Sequence, residues 1–189
     1  MSINYAMALL RNEAKLVRRL CARILVAEGE EEKRKILDLG CGSGKLAIYL
    51  SEETGYDVTG VDPSRERIEK AREESSSVSF EVQPADETAF ADSTFDVVVS
   101  LKSWHELVNP KAALRESMRL LTEGGKIYII DWVGGVGHTK KYFTMETRAH
   151  AKKYFTMERL REMLSEAGFT NIRIELNIEG ELMLAEGQK

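Results

Sequence analysis

The sequence predicts an α/β domain. The expected architecture has three layers around a seven-stranded, mostly parallel sheet with an antiparallel final strand. Three observations predict it. Short apolar runs alternate with charged, helix-forming stretches along most of the chain. The run Ile36-Leu37-Asp38-Leu39 leads directly into Gly40-Cys41-Gly42-Ser43-Gly44, a strand ending in a glycine turn that opens a helix. The last two apolar runs follow each other without a crossover helix, as an antiparallel pair does.

Length and composition fit this class. The 189 residues suit one domain with decorations, 43% are hydrophobic and 31% charged, and the net charge is -4. Such a balance gives no global reason for a polyanionic partner, so nucleic acid is not expected. Only two cysteines occur, Cys21 and Cys41. Thiols in a helix and a glycine turn are expected to be reduced, which points to a cytoplasmic protein. No apolar run reaches the roughly 20 residues of a membrane span. Monomer and homodimer both stay open.

Taken in order, residues 4–28 carry Leu10, Ala14, Val17, Cys21 and Ile24 at helical spacing, with Arg11, Lys15, Arg18, Arg19 and Arg23 on the polar face. This stretch lacks the apolar core and cleavage site of a signal peptide. An amphipathic helix packed on the domain is expected, or a lid that brings Tyr5 to a pocket. Residues 29–35 are expected to form a charged linker into the first strand. The glycine turn opens a helix running to Ser51, and the second strand, Val58–Asp62, ends on an acid. An acid about 20 residues beyond a glycine loop is placed to accept hydrogen bonds from ribose hydroxyls. The loop therefore reads as a nucleoside site, and the helix start supplies unpaired N–H groups beside it. Pro63 and Ser64 begin the next helix, and Val78–Val82 is the third strand. Phe95–Ser100 is a continuous apolar strand, as parallel sheets covered on both faces require. Asn109-Pro110 opens a helix to about Leu121, Thr122-Glu123-Gly124-Gly125 stops it, and Lys126–Asp131 is the fifth strand.

The glycine spacing is Gly40-x-Gly42-x-Gly44. It lacks the third glycine of the dinucleotide fingerprint, whose place Lys45 takes, and it lacks a Walker loop. The segment Leu37–Gly44 resembles the first motif of the class I S-adenosylmethionine-dependent methyltransferases. The resemblance implies a Rossmann-like fold, S-adenosyl-L-methionine as cofactor and S-adenosyl-L-homocysteine as product. It implies that Asp38, Gly40, Cys41, Gly42 and Gly44 surround the cofactor, with Asp62 and Pro63 at the ribose. Asp86 would bond the adenine amino group, Glu87 would frame the ring, and Ser100 and Leu101 would border the transferred methyl.

Trp104-His105-Glu106-Leu107 is similar to the His-containing segment of the quinone- and sterol-methylating type, which implies a small-molecule acceptor. The signatures of base-methylating enzymes are missing there. The arsenite type is disfavoured by too few cysteines, and the metal-dependent catechol type by missing companions for Asp131, so no metal is expected. His105 is the candidate general base. Trp104, with Tyr5, Tyr142 and Phe143, is a candidate substrate contact. A macromolecular acceptor docked on basic faces and a non-catalytic cofactor-binding protein are the alternatives.

Beyond residue 131 the segment 132–156 exceeds a minimal sheet and is expected to act as a substrate lid hinged at Gly134, Gly135 and Gly137. Within it Lys140–Glu146 recurs as Lys152–Glu158. The repeat is too short for a solenoid. The second copy places Thr156 as N-cap of the last helix, which Gly168 ends, and two strands close the chain at 169–176 and 181–185. The expected organisation is thus one domain: helix 1–34, cofactor core 35–131, lid 132–156, and last helix with strand pair 157–189.

Overall fold

The computed structural model describes residues 11–25, 33–134, 153–177 and 181–189. The elements are α1 (Arg11–Leu25), β1 (Lys35–Leu39), α2 (Lys45–Thr54), β2 (Asp57–Asp62), α3 (Arg65–Glu74), β3 (Ser79–Val82) and β4 (Phe95–Leu101). A 3₁₀ turn at Trp104–Glu106 follows, then α4 (Pro110–Leu120), β5 (Leu121–Trp132), α5 (Met157–Glu166), β6 (Thr170–Leu176) and β7 (Leu182–Gln188).

The strands form one sheet in the order β3-β2-β1-β4-β5-β7-β6. Strands β1 to β5 pair in parallel, and β7 is antiparallel to both β5 and β6. Strand direction of growth reverses beside β1: the chain first builds outward through β2 and β3, then returns to place β4 on the other side. A sheet of this kind leaves its ligand crevice at the carboxyl ends of β1 and β4.

Alternation along each strand divides the core between two layers. On one face Ile36, Val58, Val97, Val99, Tyr128 and Ile130 pack with Leu16, Val17, Leu20 and Ile24 of α1 and with α2 and α3. On the other, Leu37, Leu39, Val61, Val98, Ile127 and Ile129 pack with Leu114 and Leu120 of α4 and Leu160 and Leu164 of α5. The described part of α1 is therefore a core helix. Two cations of its basic face are paired within the fold: Arg19 and Arg23 with Glu175 of β6, and Arg23 also with Glu186 of β7.

Helix starts follow the sequence signals. Asn109 accepts the Ala112 amide at 3.0 Å with Pro110 in the first turn, and Thr156 accepts the Arg159 amide at 3.1 Å. One boundary moves. The fifth strand begins at Leu121, not Lys126, because the stop signal Thr122–Gly125 forms a bulge: Phe95 pairs with Leu121 and Val97 already with Lys126. Gly124, at φ 76°, supplies the backbone turn this needs.

Candidate functional site

The turn between β1 and α2 is drawn back under the sheet edge by the Gly40 and Cys41 amides, which both donate to Val61 O at 2.9 Å. A side chain at Gly40 would meet Ser103 Oγ at 2.5 Å, and one at Gly44 would meet the Phe80 ring at 2.6 Å, so these two glycines allow close packing. Gly42 differs. It has φ +55°, and a Cβ there would meet nothing within 4 Å. It opens onto a cleft of about 630 Å³. α2 starts at Gly44 with no side-chain cap, so its first amides are not spent on one.

Asp38 lines this cleft and is 1% exposed. Neither carboxyl oxygen has a hydrogen-bond partner among the described residues. Burial, against the pull of the nearby Ala47 amide and with Asp62 adding to the rise, brings its pKa up to about 7. An unsatisfied buried carboxyl facing open volume is costly alone and suits a cationic ligand group. Cys41 also lines the cleft; burial, then Asp38 and Asp62, raise its thiol well above the usual range, so it stays neutral.

Asp62 is buried at the end of β2. Its Oδ2 accepts the Gly42 amide at 3.0 Å and its Oδ1 the Ser64 amide at 2.9 Å, with Arg67 Nη1 3.8 Å away. The carboxylate thus fixes the glycine turn from beneath, and each oxygen keeps further acceptor capacity. Pro63 is exposed beside it. Asp86 and Glu87 are exposed on the loop after β3 and do not line the cleft. That loop is held by Arg119, which donates to Phe90 O at 2.8 Å and Asp92 at 2.6 Å, and by Glu116, which accepts from the Thr88 amide and hydroxyl.

At the end of β4, Ser100 is buried, with its Oγ 2.6 Å from Ser103 Oγ, and Ser103 in turn donates to Leu39 O. Leu101, Lys102, Ser103, His105 and Glu106 line the cleft. Trp104 does not. It is 1% exposed and packs among Leu39, Val98 and Leu160 in the core, so its ring serves as packing and not as a cleft wall.

The 3₁₀ turn directs His105 against the end of β5. His105 Nδ1 lies 2.7 Å from Asp131 Oδ1, and the His105 amide donates to Asp131 Oδ2 at 2.9 Å. A carboxylate only accepts, so Nδ1 carries a proton, and in the neutral ring Nε2 is then the basic nitrogen. Nε2 is 3.3 Å from Glu106 Oε1, whose other oxygen meets Lys153 Nζ at 3.3 Å. The Tyr154 ring stands edge-on to His105 at 5.1 Å and stacks on Trp132 at 6.1 Å. Asp131 is a site residue the sequence does not reveal, since from the sequence it resembles only a metal ligand without companions. The signal was its place at the end of an apolar parallel strand next to the one carrying the His105 loop. The candidates Tyr5, Tyr142 and Phe143 lie outside the described residues, as does most of the segment 132–156.

Comparison with known proteins gives consistent matches. Residues 9–174 match the family described as Methyltransferase domain. Methyltransferase GfsG from Streptomyces halstedii is 34% identical over 125 residues, covering 63% of this chain and 44% of that protein. Among solved structures, the [4+2]-cyclase SpnF superposes with a TM-score of 0.74 at 21% identity, over 93% of this chain and 80% of that one. Phosphoethanolamine N-methyltransferase 2 from Haemonchus contortus, solved with phosphomonomethylethanolamine and S-adenosylhomocysteine, gives 0.67 at 25% identity, over 83% and 38%. The chain spans less than half the length of the curated relatives it matches. No described helix is long and apolar enough to cross a membrane.

Proposed function

Because this chain belongs to the methyltransferase-domain family, we propose that it transfers the methyl group of S-adenosyl-L-methionine to a hydroxyl of a small-molecule acceptor, releasing S-adenosyl-L-homocysteine. The observation that carries this reading is His105, held by Asp131 at the wall of the cleft above the glycine turn.

The cofactor fits the residues present. Gly42 leaves room for close approach, and Asp38 offers a buried carboxyl that a cationic group would draw into its charged form. Asp62 sits beneath the loop with acceptor capacity to spare, at the position where ribose hydroxyls are bound in this type of fold. When bound, S-adenosylmethionine supplies a methyl already activated on sulfur. The protein's task is then alignment and removal of one proton. His105 takes the acceptor's hydroxyl proton at Nε2, and Asp131 keeps the ring oriented and stabilises the charge that forms there. A hydroxyl must lose its proton to become a good nucleophile, and this pair is placed to take it. The pairing of Arg19 and Arg23 within the fold supports a small acceptor over a macromolecule. Tyr154, against His105, and the sequence candidates Tyr5, Tyr142 and Phe143 would close the acceptor side as a lid that excludes water.

A transfer screen with methyl-labelled cofactor tests this, run against pools of hydroxylated small molecules, amines, RNA and protein. Label is expected in the hydroxylated pool and to depend on His105. Label found only in RNA or protein would overturn the reading.

A further inference from the structure

The basic nitrogen of His105 is covered. The side chain is only 9% exposed, although it lines the cleft. Asp131 takes up Nδ1 from the end of β5, and the Tyr154 ring stands edge-on at 5.1 Å. On the remaining side Glu106 Oε1 lies 3.3 Å from Nε2. The Glu106 side chain is 49% exposed, so it borders solvent where the imidazole does not.

A general base must come within about 3 Å of the oxygen whose proton it takes. An acceptor oxygen brought that close to Nε2 meets the Glu106 carboxylate. With Nδ1 protonated, the neutral ring presents a lone pair at Nε2, and a carboxylate offers only lone pairs in return. His105 therefore gives Glu106 no hydrogen bond to keep it there. Lys153 supplies an attraction, with its Nζ 3.3 Å from Glu106 Oε2. The segment that carries Lys153 is fastened to the end of β5. The Gly134 amide donates to Phe155 O at 2.8 Å, and a side chain at Gly134 would strike Tyr154 O. Adjacent residues thus place an ammonium on Glu106 and a ring on His105. An exposed ion pair of this kind is weak, so a ligand that needs the space can open it at little cost.

We propose that Glu106 is a gate on His105. Lys153 holds the Glu106 carboxylate over Nε2 in the free protein, and an acceptor must turn it aside to reach the base. The gate rests on the assignment of His105 as base made above. Glu106 then limits acceptor entry, while its neighbour takes the proton.

Acylation by diethyl pyrocarbonate tests the gate on the full chain. The reagent attacks an unprotonated imidazole nitrogen, which in His105 is Nε2. The peptide carrying His105 is followed by mass, with N-acetylhistidine as reference for the reagent. Rates are taken at the high-pH plateau of the reaction, so that ring protonation does not enter. Glu106→Ala should be acylated at His105 about threefold faster or more than wild type, and Lys153→Met should move the same way. Both positions are exposed, and thermal unfolding checks that the variants fold. In the wild type the rate should rise between about 0.05 M and about 1 M salt, which screens the ion pair, and this dependence should vanish in Glu106→Ala. Equal rates in wild type and Glu106→Ala, without a salt effect, overturn the gate and leave the base standing. A slower rate in Lys153→Met also overturns it, because the lysine then draws Glu106 off the ring. Faster acylation in both variants, with methyl transfer to the hydroxylated pool unchanged by His105→Gln, keeps the closure and overturns the base.

Discussion

Asp131 holds His105 twice: Oδ1 at 2.7 Å from the ring Nδ1 and Oδ2 at 2.9 Å from the backbone amide. The same Oδ1 accepts the Trp132 amide at 2.7 Å, so the carboxylate is itself fixed from below. One buried side chain therefore sets both the position of the 3₁₀ turn and the tautomer of the imidazole.

Asp131→Asn should therefore lower kcat by about 10²-fold or more, the range a positioned general base contributes, with the affinity for S-adenosylhomocysteine unchanged within about twofold. The asparagine amide can donate to Nδ1 and favour the opposite tautomer, which leaves no base at Nε2. Single-turnover kinetics separates chemistry from binding. His105→Gln should fall by a similar factor, and the double variant by no more than either alone, since the two act as a unit. Additive losses would mean that they act separately.

Asp38 predicts a pH dependence whose sign is unusual for an acid. Its folded pKa, about 7, lies above the ordinary 3.8. Between those values the unfolded chain gives up this proton while the folded one keeps it. Its contribution to stability is thus fully present below about 3.8 and is lost as pH rises to about 7. Asp38→Asn should raise the unfolding midpoint of the free protein above pH 7 relative to wild type, and remove this group's slope between pH 5 and 7. The same substitution should weaken S-adenosylhomocysteine, because a neutral amide no longer meets the ligand's ammonium as a charge. Urea titrations across that pH range, paired with calorimetry, measure both.

Two glycine substitutions should part company. Gly42→Val points into open space, at the expense of a left-handed backbone, so it should destabilise by only about 1–2 kcal/mol while abolishing cofactor binding. Gly40→Val would drive its side chain into Ser103, which bonds Leu39 O and Ser100, and should cost clearly more stability. Denaturant midpoints and calorimetry on the two purified variants check the order. A Gly42→Val protein that still binds tightly would mean that the turn faces elsewhere.

The fold and the glycine turn were legible because their signals are local. Apolar runs, alternating glycines and terminal acids lie within a few residues of one another, and so do the caps Asn109 and Thr156. What the sequence hid was distance. His105 and Asp131 stand 26 residues apart and meet because parallel pairing of β4 with β5 carries both to one sheet edge. Glu13 and Lys102 are separated by 89 residues, and only the docking of α1 joins them. Trp104 read as a pocket residue from its neighbour His105, but successive side chains in the turn diverge, and the indole went to the core. The segment Thr122–Gly125 marks the end of the helix in the sequence but not the bulge, because glycines break strands as well as bulge them. The second copy of the repeated heptapeptide acquired separate roles: Lys153 meets Glu106, Tyr154 meets His105, and Thr156 caps α5. The first copy lies outside the described residues.

The claim on which the rest depends is that the cleft above Gly42 holds an adenosyl cofactor with an amino-acid end. Thermal unfolding of the full chain with S-adenosylhomocysteine, and separately with NAD, tests it most directly. At about 100 times its Kd a ligand stabilises the folded state by roughly 2.7 kcal/mol, a clear rise in midpoint for a protein of this size. We predict that rise with S-adenosylhomocysteine, its loss in Gly42→Val, and no rise with NAD. A rise with NAD and none with S-adenosylhomocysteine would contradict the account.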